Sequence, residues 1–395
     1  MRILFVNDGV GDAGGVQRYL EAVAAALATR GHELALLHLD PLRVPSDSPV
    51  GGSFSHFCVD QLGVEGAVAA ARQWQPAVAF SHNMRVLDVE QRLLDCMPVV
   101  KMMHGYFGTC VGGQKMHAFP RAAACDRQLG PACLALYLPR HCGQYSVGKM
   151  FAQYDWAQRQ RALLERYAAV VVASDHMRHE YVRHGVRADR ATVNVLFPAE
   201  APGAPAPMPD RFRALFLGRM TTLKGGDVLV RAVALASEQV GAPIALTMAG
   251  DGPRRAAWES LSTSLGVAAT FPGWVDDRQR AALYDAASVV VVPSVWPEPF
   301  GLTGLEGGAY GAAAVAFDVG GIAAWLRDGE NGWLVDARTG ARGLAAALAQ
   351  AYTDGAMLAS RRTGARRIAG ELSLARHVGV LESVLSGAQS GWAAR

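Results

Sequence analysis

The stretch SVVVVPSVWPEPFGLTGLEGG, residues 288–308, carries the strongest structural signal in the chain. Its first part is a continuous apolar run, which is typical of a buried strand in a parallel sheet covered by helices on both faces. The strand is predicted to end at Pro293, the pair Phe300–Gly301 forms a turn, and a helix begins at Leu302 or Thr303. The stretch therefore predicts one strand-to-helix unit of an α/β domain.

A carboxylate stands on each side of this turn, Glu298 before it and Glu306 about one turn into the helix. The first helix amides, those of Leu302 and Thr303, would stabilise a phosphate together with the helix dipole. Glu306 is placed to reach a ribose hydroxyl pair, and Glu298 is placed toward the reacting end of the ligand. Helix capping or a surface ion pair is the structural alternative for each Glu, and the shared spacing around Phe300 and Gly301 disfavours it.

The same alternation of apolar runs with Ala- and Leu-rich segments extends along the whole chain. The predicted strands are RILFVN, ELALLHL, AVAFSH, PVVKMMH, AVVVAS and TVNVLF in the first half, and RALFLG, IALTMAG, SVVVVPS and AAVAFD in the second. A further strand is predicted to end in FPGWVDD, residues 271–277. A Pro- and Ala-rich stretch at 198–210 separates the halves. We predict an α/β fold of two Rossmann-like, doubly wound domains, divided near residue 205 and facing an interdomain cleft that is the default ligand site.

Length and composition agree with this organisation. The chain has 395 residues, of which 51% are hydrophobic and 18% charged, so it is globular and too long for one core. A net charge of +3 gives no reason to expect a nucleic-acid partner. The basic stretch at 159–190 is better explained as a solvated face than as a membrane-surface or anionic-acceptor patch.

The location of the protein is predicted from its apolar runs. None approaches the roughly 18 residues that span a bilayer, and the apolar part of the N-terminus is too short for a signal peptide. We expect a cytoplasmic protein, and peripheral contact with the inner face of the membrane stays open.

Two further turns in the second half follow predicted strands. In LGRMTTLKGG, residues 217–226, Arg219 and Lys224 stand between a strand and a helix, and two cations there would suit a diphosphate, although surface cations are common. In MAGDGP, residues 248–253, Gly250 lies in a tight turn that forms either one wall of a nucleotide pocket or a turn alone.

Near the N-terminus, Gly14 and Gly15 precede a helix predicted to begin near Val16. Glycines at this place let the backbone approach a ligand, and the helix offers free amides to an anion. Their spacing does not match the glycine fingerprint of dinucleotide-binding proteins, so a plain loop is the alternative.

Four segments together resemble a known family. EPFGLTGLE, LGRMTTLKGG, MAGDGP and DVGGIAAWLRDGENGWLV are similar to the retaining glycosyltransferases of family four (glycosyl transferases group 1), which have the GT-B fold. The resemblance is densest over residues 213–335. It implies an acceptor-side domain at 1–200, a nucleotide-sugar-binding domain at 211–372, and a crossover helix at 373–395 that returns to the first domain.

The resemblance also implies roles for single residues. Glu306 would hold the donor ribose, Glu298 and His104 would contact the transferred sugar, and the Gly14–Gly15 loop would close over donor or acceptor. The implied catalytic residues are His104, Glu298, Arg219 and Lys224. The implied donor-binding residues are Gly14, Gly15, Arg219, Lys224, Gly250, Glu298, Phe300, Gly301, Leu302, Thr303 and Glu306.

The implied activity is that of a hexosyltransferase in polysaccharide biosynthesis. It would move a sugar from a nucleotide-diphospho-sugar to a glycan or lipid-linked acceptor, with retention of configuration and without a catalytic metal. A nucleotide-sugar epimerase or hydrolase on the same fold, and a non-catalytic GT-B scaffold, remain as alternatives.

The chain departs from the family pattern at three places. It has EGGA at 306–309 where members often have Glu-Ala-Met-Ala, and Ala313 where they often have Pro. It also has Ala324 where members often carry Glu, which puts the turn geometry or donor contacts near 320–321 in doubt.

Four cysteines lie in one segment that interrupts the strand–helix alternation, within residues 104–150. They are Cys110, Cys125, Cys133 and Cys142, and the segment looks like an insertion found in a subset of the family. Four thiolates would make a closed tetrahedral zinc site, which would order a region with little core of its own. The spacing contains no Cys-x-x-Cys, so reduced cysteines, disulfides or an iron–sulfur cluster remain open.

Overall fold

The structure is a computed structural model that describes residues 1–9, 14–40, 54–198 and 208–393. Its strands are β1 (Arg2–Val6), β2 (Glu33–His38), β3 (Ser55–Cys58), β4 (Val78–Ser81), β5 (Val99–Met103), β6 (Met116–His117), β7 (Ala123–Ala124), β8 (Ala169–Val172), β9 (Ala191–Val193), β10 (Arg213–Leu217), β11 (Ala245–Ala249), β12 (Ala269–Gly273), β13 (Val289–Val292), β14 (Ala313–Phe317) and β15 (Gly332–Val335).

The helices alternate with these strands. They are α1 (Gly15–Thr29), α2 (Val59–Gln73), α3 (Leu87–Cys96), α4 (Ala132–Tyr137), α5 (Val147–Leu163), α6 (Asp175–Arg183), α7 (Gly226–Val240), α8 (Arg255–Ser264), α9 (Asp277–Asp285), α10 (Leu302–Ala309), α11 (Gly340–Thr353), α12 (Gly355–Glu371) and α13 (Leu374–Ala393). No helix among the described residues is both long enough and apolar enough to span a bilayer.

The first of two compact units comprises residues 1–114, 127–195 and 374–395. Within its described part, seven parallel strands form one sheet in the order β3-β2-β1-β4-β5-β8-β9. Strands β4, β5 and β8 are buried along their whole length, because helices cover both faces. The strand order reverses between β1 and β4, and the carboxyl ends of strands at such a switch point are the usual ligand edge.

Helix α13 completes this unit from the far end of the sequence. It packs on α1 and buries Val378, Leu381 and Leu385. Near its start, Nε2 of His377 lies 2.9 Å from the Tyr19 hydroxyl, and Nδ1 lies 2.8 Å from the carbonyl oxygen of Val195. The C-terminal segment is therefore part of the first unit's core.

The second unit comprises residues 115–126 and 196–373. In its described part, six parallel strands form a sheet in the order β12-β11-β10-β13-β14-β15, and a short antiparallel pair joins β6 to β7. Apolar residues of β10, β13 and β14 pack with helices α7 and α11 in one core. Here the strand order reverses between β10 and β13, so the loops that follow these two strands meet at the switch point.

The predicted α/β fold with two parallel sheets is confirmed. Each predicted strand segment contains an observed strand, although TVNVLF contributes only its first residues, since β9 ends at Val193. Two strands of the parallel sheets, β3 and β15, lie outside the predicted set, and β12 was predicted only at its end, in FPGWVDD. By contacts the chain divides between Val195 and Leu196, and residues 115–126 group with the second unit. The predicted division near residue 205 lies outside the described residues.

Candidate functional site

The loop between β13 and α10 forms the centre of the candidate site in the second unit. Helix α10 begins at Leu302, as predicted, after Gly301 in the left-handed conformation (φ 81°). In the part of the chain that the structure describes, no side chain caps this helix start, so the amides of Leu302 and Thr303 are suited to an anion. Phe300 is buried, and its carbonyl oxygen accepts a hydrogen bond from the Trp325 indole at 2.7 Å, which fixes the turn.

Glu298 and Lys224 meet directly in this loop. The Lys224 ammonium lies 2.6 Å from Oε1 of Glu298, and the Ser294 hydroxyl donates to the same oxygen at 2.5 Å. The side chain of Glu298 is 4% exposed and that of Lys224 is 30% exposed. Because Lys224 follows β10 and Glu298 follows β13, the pair stands at the switch point of the sheet.

The charge state of Glu298 follows from these contacts. Burial acts to raise its pKa, but the charge of Lys224 and the hydrogen bonds from Lys224 and Ser294 outweigh burial and hold the pKa below its ordinary value. Glu298 is therefore an ionised acceptor at neutral pH and is poorly suited to take a proton as a general base.

The backbone of Glu298 is held by a glycine turn. The Gly321 amide donates to the Glu298 carbonyl oxygen at 2.6 Å. Gly320 has φ +60°, and a Cβ there would lie 2.5 Å from the Glu298 backbone nitrogen and closer still to its carbonyl oxygen. The turn at 320–321, whose geometry Ala324 made uncertain in the sequence, thus contacts the backbone of Glu298. Ala324 is the last residue of the short 3₁₀ helix that follows this turn.

Glu306 lies on α10 and is buried. Its Oε2 accepts a hydrogen bond from the Tyr284 hydroxyl at 2.9 Å. The glycines of EGGA fit close packing: a Cβ on Gly307 would collide with Val290, and one on Gly308 would lie 3.1 Å from the carbonyl oxygen of Ala365. Close packing around α10 therefore favours the glycine at 307.

Arg219 and Gly250 lie on neighbouring loops of the same edge. Gly250 has φ +124°, and a Cβ there would collide with the backbone of Gly218, so this turn requires glycine. Arg219 is exposed, and its guanidinium has no hydrogen-bond partner among the residues that the structure describes. The structure therefore joins Lys224 to Glu298 but leaves Arg219 unpaired in the described part of the chain.

In the first unit, Gly14 and Gly15 stand at the start of α1. Gly14 is extended (φ −147°) and Gly15 is the first helical residue, one position earlier than predicted. Among the described residues, a Cβ on Gly15 would meet no atom within 4 Å, so their packing does not require a glycine there. Residues 10–13 of the same loop lie outside the described residues.

His104 follows β5 at the carboxyl edge of the first sheet. Its Nε2 lies 3.1 Å from Nδ1 of His82, and its ring lies edge-on to Tyr19 with centroids 5.4 Å apart. Burial lowers the pKa of His104 to about 3, and the charges of Lys101 and His377 act in the same direction. His104 is therefore neutral at physiological pH, with one N–H donor and one acceptor nitrogen.

A cavity of about 60 Å³ adjoins this pair and is lined by His82, His104, Arg85, Phe107 and Trp156, among others. Two cationic residues, Arg85 and Lys101, line the cavity. Lys101 is 5% exposed and pairs with the fully buried Glu90, which also accepts a hydrogen bond from the Tyr167 hydroxyl at 2.5 Å. Arg85 pairs with Asp8 at 2.5 Å. Both cations of the cavity wall are thus already neutralised.

Several residues of these sites were missed by sequence reasoning. His82 was recoverable in principle, because it follows β4 next to the strand-order reversal, where His104 also follows a strand. Tyr284, Tyr19 and His377 carry no such local signal, since their partners lie far away in the sequence.

The cysteines of the 104–150 segment are the residues whose proposed role is metal binding. All six cysteines are free thiols, and the described residues contain no group of three or more His, Cys, Asp or Glu side chains placed to hold a metal ion. Cys133 and Cys142 point to the carbonyl oxygens of Gln128 and Leu136 and pack against a small apolar cluster with Tyr137. The four-cysteine zinc site stays a prediction that only a metal measurement tests.

Known proteins share both units. The family description Glycosyltransferase Family 4 matches residues 13–194, and Glycosyl transferases group 1 matches residues 211–354. An uncharacterized glycosyltransferase of Methanocaldococcus jannaschii is 39% identical over 125 residues, 31% of either chain. The D-inositol 3-phosphate glycosyltransferase of Arthrobacter sp. (strain FB24) is 29% identical over 366 residues, 83% of this chain and 79% of that protein.

Several other curated relatives, like the Methanocaldococcus protein, are aligned over only about 30% of their own length. Among solved structures, Anabaena HepE in complex with UDP and glucose has a TM-score of 0.70 at 19% identity, over 98% of this chain and 99% of that one. This likeness shows the fold. Because the two family matches fall one on each parallel sheet and the fold extends over the whole chain, the protein belongs to glycosyltransferase family four, the glycosyl transferases group 1, and has the GT-B fold.

Proposed function

We propose that the protein is a retaining hexosyltransferase that moves a sugar from a nucleotide-diphospho-sugar to a glycan or lipid-linked acceptor. The observation that carries this proposal is the Lys224–Glu298 pair at the switch point of the second sheet, beside the uncapped start of α10. The solved structure of HepE with UDP and glucose supports a nucleotide-sugar donor, and the glycosyltransferases among the relatives support a transfer reaction. Retention is implied by the family alone.

The second unit holds the ribose and the diphosphate of the donor. Glu306, fixed by Tyr284, accepts hydrogen bonds from the ribose hydroxyls. The amides of Leu302 and Thr303 bind the diphosphate together with the guanidinium of Arg219. These donors stabilise charge on the leaving diphosphate, so no catalytic metal is needed in the proposal.

Glu298 orients the transferred sugar and does not act as a base. Its ionised carboxylate accepts from sugar hydroxyls, and Lys224, with one N–H engaged by Glu298, has further donors for a phosphate oxygen. In this proposal Lys224 contacts both Glu298, which binds the sugar, and a phosphate oxygen of the donor. Catalysis in this arrangement consists of positioning and charge stabilisation.

The first unit supplies His104, which contacts the sugar, and the cavity beside it supplies part of the acceptor site. Since Arg85 and Lys101 are both paired, the cavity favours an uncharged, hydroxyl-bearing group over a phosphate. Phe107 and Trp156, whose rings meet edge-on 5.8 Å apart, provide an apolar wall for a sugar ring. This chemistry is that of a neutral glycan end, and the reaction is proposed to occur in the cytoplasm or at the inner face of the membrane.

The proposal is tested first by thermal stabilisation with a panel of nucleoside diphosphates and nucleotide sugars, and then by transfer assays with the stabilising donor. Glu298→Gln is expected to lower kcat strongly and Glu306→Ala chiefly to raise the donor KM. Proton NMR of the product should show the donor's anomeric configuration retained, and chelators should leave the rate unchanged.

The alternatives give different results in the same assays. Full turnover of the donor without any acceptor would identify an epimerase or hydrolase. A lack of affinity for every nucleoside diphosphate would identify a non-catalytic scaffold, and an inverted product would remove the retaining mechanism.

A further inference from the structure

His82 and His104 form a hydrogen-bonded pair of neutral rings in the first unit. Nδ1 of His82 lies 3.1 Å from Nε2 of His104, with the rings inclined by 28°. Burial lowers the pKa of both rings, that of His82 well below its ordinary value, and the charge of Lys101 adds to the effect. Each neutral ring carries a single N–H, so this hydrogen bond has a direction, and its direction fixes where the hydrogen of His104 lies.

The surroundings of His82 indicate which ring donates. Nε2 of His82 is buried and has no hydrogen-bond partner among the residues that the structure describes. If His104 donated, the hydrogen of His82 would lie on this nitrogen as a buried N–H without an acceptor. If His82 donates from Nδ1, only a lone pair is left without a partner, and unsatisfied acceptors are tolerated more often than orphaned N–H groups.

The ring of His82 is held in this orientation by its neighbours. It stacks on Phe5 (5.9 Å, 13°) and meets the edge of Phe80 at 4.2 Å. The buried ammonium of Lys101, itself paired with Glu90, donates to the backbone carbonyl of His82. A side chain that is 1% exposed and enclosed in this way cannot readily turn its ring over.

We infer that His82 donates its Nδ1 hydrogen to His104 and so keeps the hydrogen of His104 on Nδ1, where it serves as a donor to a bound ligand. His104 is partly exposed, and its Nδ1 has no hydrogen-bond partner in the described part of the chain. The oxygen it meets would be one of the transferred or accepting sugar, and this last step rests on the proposed function. His82 is a positioning residue: it acts through His104 and sets the polarity of that contact.

The tautomer is measured directly by long-range proton–nitrogen NMR on protein with ¹⁵N-labelled imidazole rings at neutral pH. We expect His104 to show a protonated Nδ1 and an unprotonated Nε2, which is the less common tautomer of histidine in water. His377 is the internal reference, because its Nδ1 faces the Val195 carbonyl oxygen, which can only accept. A wild-type His104 with its hydrogen on Nε2 would overturn the inference.

Two variants test whether His82 is the cause. His82→Phe keeps an aromatic ring between Phe5 and Phe80 but removes the donor, so His104 should return to the Nε2–H tautomer and transfer should fall about tenfold, the effect of one neutral hydrogen bond. His82→Asn keeps an N–H near the place of Nδ1 and should preserve the tautomer. As a control, His56→Phe changes a histidine that pairs with His38 elsewhere in the same unit, and it should leave His104 unchanged.

The outcomes separate this inference from the proposed function. An unchanged tautomer in His82→Phe overturns the inference even if activity falls. The predicted exchange of tautomers supports it even if no transfer reaction is found, because the NMR measurement needs no substrate.

Discussion

Replacing Lys224 by Met should produce a stability defect that depends on pH. In the wild type, Glu298 Oε1 is bound by the Lys224 ammonium at 2.6 Å and by the Ser294 hydroxyl at 2.5 Å. Methionine retains most of the apolar stem but removes the charge, so the buried carboxylate keeps only neutral partners. The position lies in the short 3₁₀ helix Thr222–Lys224, where the side-chain change does not disturb a long element.

The size of the effect follows from burial. Breaking a fully buried ion pair costs about 3–5 kcal/mol because one charge is left uncompensated. The carboxylate here is 4% exposed, but the ammonium is 30% exposed and is partly screened by solvent. We therefore expect a loss of about 2–3 kcal/mol in the free energy of unfolding of the second unit at neutral pH.

The pH dependence of this loss has a definite sign. The folded-state pKa of wild-type Glu298 lies below its ordinary value of 4.5, so the carboxylate stabilises the fold above that pH, and this stabilisation disappears as the pH falls through the folded pKa. Without Lys224, burial acts with less opposition and raises the pKa of Glu298. The variant then recovers stability as the carboxyl protonates, and the difference from wild type narrows on acidification.

Native-state hydrogen exchange of peptides from β10 and β13, compared at about pH 7.5 and pH 5, reports the stability of the second unit separately from the first. The double variant Lys224→Met/Glu298→Gln should regain much of the loss, because no buried charge remains. Arg338→Met, which breaks the exposed pair with Asp336, should leave the exchange rates unchanged. A defect equal at both pH values would refute the electrostatic reasoning.

Three further predictions concern the site. Tyr284→Phe removes the hydroxyl that fixes Glu306. Donor affinity measured by titration should fall roughly tenfold with little change in fold stability. Unaltered affinity would count against the binding of the donor ribose by Glu306. The pKa of His104 is about 3, so His104 should not contribute a titration step near pH 6.5 to the pH–rate profile of the wild type. A step near pH 6.5 that is present in the wild type and absent in His104→Gln would contradict a neutral His104. Gly320 has φ +60°, and the Cβ of Gly320→Ala would clash with the Glu298 backbone, so this variant should destabilise the second unit by at least about 3 kcal/mol in urea unfolding. The control Gly329→Ala has φ +78° but meets no described atom within 4 Å, and it should cost only about 1 kcal/mol. Equal losses in the two variants would show that the clash is absent.

The fold was predictable from the sequence to the extent that its strands are continuous apolar runs. Strands such as β13, with four valines, are recognisable in the sequence because both of their faces are buried and apolar. Strands β3 and β15 were not predicted, and β12 was predicted only at its end, because all three are short and are exposed or polar in part. Strand β3 has the sequence SHFC, β12 contains Pro272, and β15 begins at a glycine. Their strand character comes from pairing with a neighbour and not from their own residues.

The candidate site was predictable where a local motif carries it. The turn at Phe300–Gly301 and the start of α10 lie where the sequence places them. The ion pair between Lys224 and Glu298 was not foreseen, since the two residues are 74 positions apart and are joined only by the strand order of the sheet. The same limit applies to Tyr284 with Glu306.

The return of α13 to the first unit has a consequence for synthesis of the chain. The first unit's core needs His377, Val378 and Leu381, which leave the ribosome only after residues 196–373 have been made. At about 5–20 residues per second this interval lasts roughly 10–40 s, during which the surface around Tyr19 and Asn194 lacks the helix that covers it. The N-terminal unit therefore cannot finish folding before α13 has been made, and nascent chains or fragments that stop before Leu374 are expected to depend on chaperones.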